Sequence, residues 1–245
     1  MIKEKLEEAL LLWKKIPSHY RALIIIIPAI LIARFYNAST EEGQRQIVQK
    51  YFKVTEEEEE VANINLSEIE NAFGKKDSKI QVIEYEKFDC SYCVSFNKEV
   101  MKKIKTEYID TDKILYKKRF LIGEKTIIAS VIPSCIEDKN EKWNIIEKLY
   151  ETSNEWLALT SDKQVDLFRE MWAQNIKTKN DDDFKKCVAN SRIANMLLEQ
   201  LRDETKDFDI SATPSFVING DKYSGYKTYN EFEDIINKTK PLTIE

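Results

Sequence analysis

Apolar and polar positions along the chain follow two periods, and the order in which they alternate outlines a fold. The stretch from Gln81 to Asn97 begins as a strand, with Val82, Ile83 and Tyr85 among β-formers. Past Cys93, Phe96, Val100 and Ile104 recur every four residues, as on one face of a helix. Residues 113–122 read as a second strand that stops at Gly123. A strand, a helix and a strand in succession predict a parallel pair joined by a crossover. Residues 124–205 then carry no convincing strand but three helical stripes. Trp143, Ile146 and Tyr150 form the first, and Val165, Phe168, Met171 and Trp172 the second. The third runs Phe184, Cys187, Val188, Ser191, Ala194, Leu198 and Leu201. All three are read as packing faces.

Strand character returns at Ser215–Ile218, followed by Asn219-Gly220, a pair suited to the positive φ angles of a tight hairpin. A returning strand around Tyr223 ends at Gly225. Thr228-x-x-Glu231 then has the form of a capping box for a last helix with Phe232, Ile235 and Ile236 inward. The predicted order is strand, helix, strand, helical insertion, hairpin, helix.

The N-terminal third is different. Residues 22–33 are uncharged and apolar, with Lys14, Lys15 and Arg21 before them and Arg34 after. The run is shorter than the roughly 20 residues that span a bilayer core, and it has the length of a signal-peptide apolar region. Arg21 and Arg34 can snorkel and Tyr20, Phe35 and Tyr36 can sit at the interface, so a short uncleaved anchor is the preferred reading. Cleavage after a poor site near Ala38 and a buried core strand are the alternatives. Upstream basic charge predicts a cytoplasmic N-terminus and an exported remainder. Residues 37–65 are polar, include the run Glu56 to Glu60, and read as a stalk. A short amphipathic helix is expected over 66–73, with Leu66, Ile69 and Phe73 on one face and Gly74 as its stop. The expected organisation is 1–36 cytoplasmic end and anchor, 37–77 stalk, 78–245 folded domain.

Composition changes this picture little. The chain has 245 residues, 33% charged, with a net charge of −5, so neither a polybasic nor a polyacidic partner is implied and nucleic acid is not expected. Four cysteines allow two disulfides without proving an oxidising compartment.

The candidate chemistry lies at the first strand-to-helix junction, Cys90-Ser-Tyr-Cys93. A sulfur at a helix N-terminus meets free N–H groups and partial positive charge, which favour thiolate over thiol. The second sulfur, one turn in, is shielded. One reactive and one resolving thiol are what dithiol–disulfide exchange needs. Half of a zinc site is an alternative, closed by Cys135 and Cys187, and a purely structural disulfide is another. The sole histidine, His19, lies outside the expected domain, and no metal or cofactor is expected.

Two motifs, Glu84-Tyr85-x-x-Phe88-x-Cys90-x-x-Cys93 and Thr213-Pro214-Ser215-Phe216-Val217-Ile218-Asn219-Gly220, together resemble the thioredoxin fold. With helices inserted between its halves, the chain is similar to the DsbA-like thiol:disulfide oxidoreductases over about 78–238. The resemblance implies an α/β thioredoxin-like fold with an all-helical insertion. It implies Cys90 as nucleophile, Cys93 as resolving partner, and Pro214 as a cis-proline facing them. It implies that Thr213 offers backbone to an extended substrate. It also implies that Glu84 is a buried acid able to relay protons to Cys93; a charge on a solvated strand face is the other reading. Cys135 and Cys187 resemble a second, structural pair, with two buried free thiols as the alternative. The dipeptide Ser91-Tyr92 departs from the Pro-His of strongly oxidising members, so Cys90 should be less acidic and the pair a weaker oxidant. Ala212 stands where many relatives have Gly.

Together with the expected anchor, the resemblance implies an inner-membrane-anchored periplasmic enzyme that oxidises exported cysteine-containing proteins and is re-oxidised by a DsbB-like, quinone-linked membrane partner. A reductase or isomerase of the same fold, and a non-catalytic binding module, are the competing readings.

Overall fold

The computed structural model describes residues 69–243. The anchor expected at 22–33 and the Glu56 to Glu60 run lie outside the described residues. Among the described residues no helix is long and apolar enough to cross a membrane.

The first strand of the pattern, β2 (Gln81–Glu86), is central and lies parallel to β3 (Leu115–Phe120), with Glu84 opposite Lys118 and Glu86 opposite Phe120. Its other side pairs antiparallel with β4 (Ser215–Ile218), and β4 continues into β5 (Asp221–Ser224). Asn219 and Gly220 both have positive φ, 48° and 96°, as a two-residue hairpin with the right twist requires. With β1 (Ala72–Gly74) on β3, the order is β1-β3-β2-β4-β5.

Strand β1 corrects the end of the helix expected over 66–73: Ile69 is helical, residues 66–68 lie outside the described residues, and Ala72 and Phe73 are strand. Ala72, Phe73 and Gly74 pair antiparallel with Lys117, Tyr116 and Leu115. Three residues are too few for a two-residue period to show in sequence, and here tertiary pairing overrides local preference. Phe73 is buried edge-on against Trp143, with ring centroids 4.8 Å apart. Gly74 does end the element, but at φ +87°, where a Cβ would run into the Ile114 carbonyl oxygen.

The crossover from β2 to β3 begins with α1 (Ser91–Glu99), breaks at Val100 (φ −113°), and continues through α2 (Met101–Ile104) and a π-turn at Lys105–Ile109. Phe96, Val100 and Ile104 face the core throughout. After β3 come α3 (Ile127–Val131), a 3₁₀ turn (Ile132–Cys135), α4 (Lys139–Glu151), α5 (Ser153–Leu157) and α6 (Ser161–Asn175). The third stripe is two helices, α7 (Asp181–Ala189) and α8 (Ser191–Asp207). Asn190 between them is extended (φ −82°, ψ 91°), and its side chain caps α8 through the Ile193 N–H. Because the apolar spacing runs on across this break, periodicity alone reads it as continuous. Helix α9 (Tyr229–Lys238) closes the fold from the capping box of Thr228 and Glu231.

The sheet is covered on both faces. Alternation along β2 sends Val82, Glu84 and Glu86 to one face and Tyr85 to the other. On the first face Phe96 of α1, Phe216 and Phe232 of α9 form an aromatic cluster. On the second, the hydroxyl of Tyr85 donates to Glu204 of α8 at 3.0 Å, and buried Arg119 pairs with Glu204 and Glu70.

Candidate active site

Strand β2 ends at Glu86, and a three-residue turn delivers Cys90 to the mouth of α1. Cys90 is extended (φ −95°, ψ 115°) and is itself the N-cap: its Sγ accepts the Cys93 N–H at 3.2 Å. Both cysteines are free thiols, Cys90 half-buried and Cys93 fully buried. From the far side of the chain, Thr213 and Pro214 reach the same sulfur across a cis peptide bond, with the Cys90 thiol 3.3 Å from the Thr213 carbonyl oxygen. Cys90, Cys93, Thr213 and Pro214 are therefore one cluster.

The two thiols are driven apart in acidity. Donation from the Cys93 thiol, opposed by partial burial and aided by Thr213 and the N–H groups of Cys93 and Tyr92, pulls Cys90 down to about 6. Cys93 is held well above the ordinary thiol range, because it donates to Cys90, is buried, and sees the charge of Glu86. Cys90 is thus the thiolate at neutral pH and Cys93 the proton-bearing partner.

Beneath the pair lies a buried charge cluster. Lys118 Nζ stands 2.9 Å from Glu84 Oε2 and 2.9 Å from Glu86 Oε1, and 2.9 Å from Asn97 Oδ1. Glu84 is fully buried, which rules out the solvated-face reading. Its Oε2 also accepts from the Tyr116 hydroxyl at 2.9 Å, while Oε1 has no hydrogen-bond partner among the described residues. Burial first, then repulsion from Glu86, pushes Glu84 up to about 8 despite Lys118, so its carboxyl is neutral at pH 7. Burial alone would lower Lys118, but the two acids hold it above the usual lysine value.

Sequence reasoning found Glu84 and missed Glu86, Lys118, Asn97 and Tyr150. The signal for Glu86 was available, since i and i+2 on a strand share a face. Lys118 sits in the run Lys117-Lys118-Arg119, where only the strand register shows which cation turns toward Glu84 and Glu86.

Cys135, on the 3₁₀ turn, and Cys187, on α7, are bonded to each other with Cα atoms 5.9 Å apart. They join two segments of the helical insertion and do not complete a four-cysteine zinc site with Cys90 and Cys93. Among the described residues no cluster of three or more His, Cys, Asp or Glu is arranged to hold a metal.

Comparison with known proteins agrees with this architecture. A family model described as Thioredoxin matches residues 67–238. A putative protein-disulfide oxidoreductase of Rickettsia bellii is 29% identical over 204 residues, 81% of this chain and 74% of that one. The matches to other rickettsial relatives are shorter, covering 54% of the Rickettsia conorii protein, for example. Disulfide bond formation protein D of Bacillus subtilis is 25% identical over 173 residues, 67% of this chain and 74% of that one. Among solved structures, alpha-DsbA1 of Wolbachia pipientis superposes with a TM-score of 0.61 at 25% identity, covering 73% of this chain and 94% of that one. The chain belongs to the thioredoxin family, as one of its DsbA-like thiol:disulfide oxidoreductases.

Proposed function

We propose that the chain oxidises dithiols in exported proteins, working on the periplasmic side of the inner membrane to which residues 22–33 anchor it. The observation that carries this reading is the placement of the two free thiols: Cys90 half-buried at the N-cap of α1, taking the Cys93 N–H and lying 3.3 Å from the Thr213 carbonyl, with Cys93 fully buried behind it. Starting from the Cys90–Cys93 disulfide, a substrate thiolate attacks Cys90 Sγ. The Cys90–Cys93 bond breaks and Cys93 leaves with the electron pair, then takes a proton. The substrate's second thiolate attacks its own sulfur in the mixed disulfide and expels Cys90 as a thiolate. The substrate gains a disulfide and the enzyme is left reduced. A DsbB-like, quinone-linked membrane oxidase would restore the disulfide. Thr213 offers main chain to an extended substrate segment, and Glu84 is the buried acid beneath the pair.

A stabilised Cys90 thiolate favours the reduced enzyme and so makes the disulfide oxidising. A value of about 6 lies between the roughly 7 of thioredoxin and 3.5 of the strongest oxidant. The expected reduction potential therefore falls between roughly −270 and −120 mV. The names of the relatives in Bacillus and Rickettsia support the same reading.

The test is exchange with a dithiol peptide by the full chain. Cys90→Ser should abolish it and Cys93→Ser should accumulate mixed disulfides. A Cys90→Ser protein that still oxidises the peptide would sink the proposal. Equilibration with glutathione buffers to a potential near roughly −270 mV would turn the assignment to a reductase or isomerase.

A further inference from the structure

Two buried carboxyl groups share one lysine here, and they do not stand in equivalent places. Glu84 and Glu86 each lie 2.9 Å from Lys118 Nζ. Glu86 is the better solvated by the protein. Its Oε1 accepts from Lys118, and its Oε2 accepts from the Tyr150 hydroxyl at 2.7 Å and from Asn97 Nδ2 at 2.8 Å. The same Asn97 Nδ2 donates to the carbonyl oxygen of Cys93 at 3.0 Å. One amide group thus ties the Glu86 carboxylate to the residue that carries the resolving sulfur. No hydrogen bond links Glu84 to α1 among the described residues.

We propose that Glu86 is a positioning residue for Cys93: its carboxylate, held by Lys118 and Tyr150 and tied to Cys93 through the shared Asn97 amide, slows the attack of Cys93 on the mixed disulfide. The inference rests on the reading of Cys90 and Cys93 as the exchanging pair. The titratable groups that act on Cys93 are Cys90 at the mouth of α1, Glu86 on β2 and Tyr150 on α4, and behind Glu86 stand Lys118 on β3 and, bonded to the same lysine, Glu84 with its Tyr116 partner. One lysine can balance one carboxylate. Glu84 has one bare oxygen and is pushed up to about 8 by burial and by Glu86, whereas both oxygens of Glu86 accept hydrogen bonds. The repulsion from Glu86 on a Cys93 thiolate is among the causes that raise Cys93. A slower resolving thiol prolongs the mixed disulfide, which gives the substrate's own second thiol time to complete its disulfide.

The size of the effect follows from thiol chemistry. Lowering the Cys93 pKa by one unit raises its thiolate fraction about tenfold at neutral pH and lowers its nucleophilicity about threefold, a net gain of about threefold in rate. The reverse step, with Cys93 as leaving group, speeds up about equally. The equilibrium, in which Cys93 is a thiol, does not move.

The experiment uses the reduced full-length protein and an aromatic disulfide reagent that releases a coloured thiol. Attack by Cys90 releases one equivalent, and attack by Cys93 on the mixed disulfide releases a second. Glu86→Gln should speed the second phase about threefold or more at neutral pH, shift its pH midpoint downward, and leave the reduction potential in place. Glu84→Gln should move the second phase less than Glu86→Gln does. A second phase that is unchanged or slower in Glu86→Gln overturns the proposal, as does a larger effect from Glu84→Gln, which would return the role to that residue. Should Glu86→Gln fail to fold, Tyr150→Phe removes one of the donors that hold the Glu86 carboxylate. The second phase should then quicken, by less than in Glu86→Gln, and an unchanged or slower rate overturns the proposal. Absence of the two phases in the unmodified protein would instead defeat the exchange reading itself.

Discussion

The sulfur of Cys90 lies 3.3 Å from the carbonyl oxygen of Thr213, although 123 positions of chain separate the two residues. The whole helical insertion and the crossover are contained in that interval. The fold therefore assembles its site from two short segments at the ends of neighbouring strands, β2 and β4, which pair through Tyr85 and Ser215.

The acidity of Cys90 should be visible as reactivity. Alkylation of reduced protein should rise with pH around a midpoint of about 6, below the ordinary thiol value of about 8.5. Cys93→Ala removes the thiol that donates to Cys90, the largest lowering influence, so the midpoint should move up while the helix N–H groups keep it short of the ordinary value. Iodoacetamide labelling across pH, read by mass, measures both.

The same shift makes the stability of the reduced form depend on pH. Cys90 is depressed in the folded state, so its contribution is fully present above the unfolded thiol pKa and is lost as pH falls through about 6. Denaturant midpoints of reduced protein should fall, relative to oxidised protein, as pH drops across that window.

Glu84 acts with the opposite sign. Its carboxyl is raised from 4.5 to about 8 on folding, so its contribution is complete below the unfolded value of 4.5 and is lost as pH rises through about 8. Glu84→Gln mimics the neutral acid and removes this dependence. The variant should gain on the parent between these limits, at up to about 1.4 kcal/mol per pH unit. Urea unfolding of both proteins as a function of pH decides the matter, and parallel curves would contradict the neutral Glu84 carboxyl.

The bond between Cys135 and Cys187 closes a loop of sequence separation 52. Loss of a crosslink of that span costs on the order of 2–4 kcal/mol. Replacing both cysteines by alanine should lower the melting temperature while the two-phase reaction of Cys90 and Cys93 persists.

Gly74→Ala should be costly for its size. Its φ of +87° and the Ile114 carbonyl in the path of a Cβ leave no room for a side chain. A loss of roughly 1–3 kcal/mol is expected, concentrated in β1, and amide exchange of Ala72–Gly74 should report it first.

The order of elements from β2 to α9 was legible because each announces itself locally: β-formers in Gln81–Glu86, the Asn219-Gly220 turn, and the Thr228 to Glu231 capping box. Features set by tertiary pairing were not. Strand β1 exists because β3 offers it an edge and Trp143 receives Phe73. The break at Asn190 is hidden because apolar residues on both of its sides face the core. In the site, the cysteines and Pro214 were readable as motifs. Glu86 shares the face of Glu84 by strand alternation, but its partners Lys118, Asn97 and Tyr150 come from three other elements that only the fold brings together.

The discontinuity at Val100 also bears on what the cysteines require from their helix. Only Ser91–Glu99 lies in line with the Cys90 sulfur before the axis changes at Val100 and the π-turn follows. Electrostatic help from a helix end is concentrated in its first turn, so nine residues suffice. The rear of the crossover, with Tyr108 and Ile109 in the core, lies beyond that first turn. Sequence drift there can retune packing and thermal endurance while leaving the redox poise of the enzyme where it was.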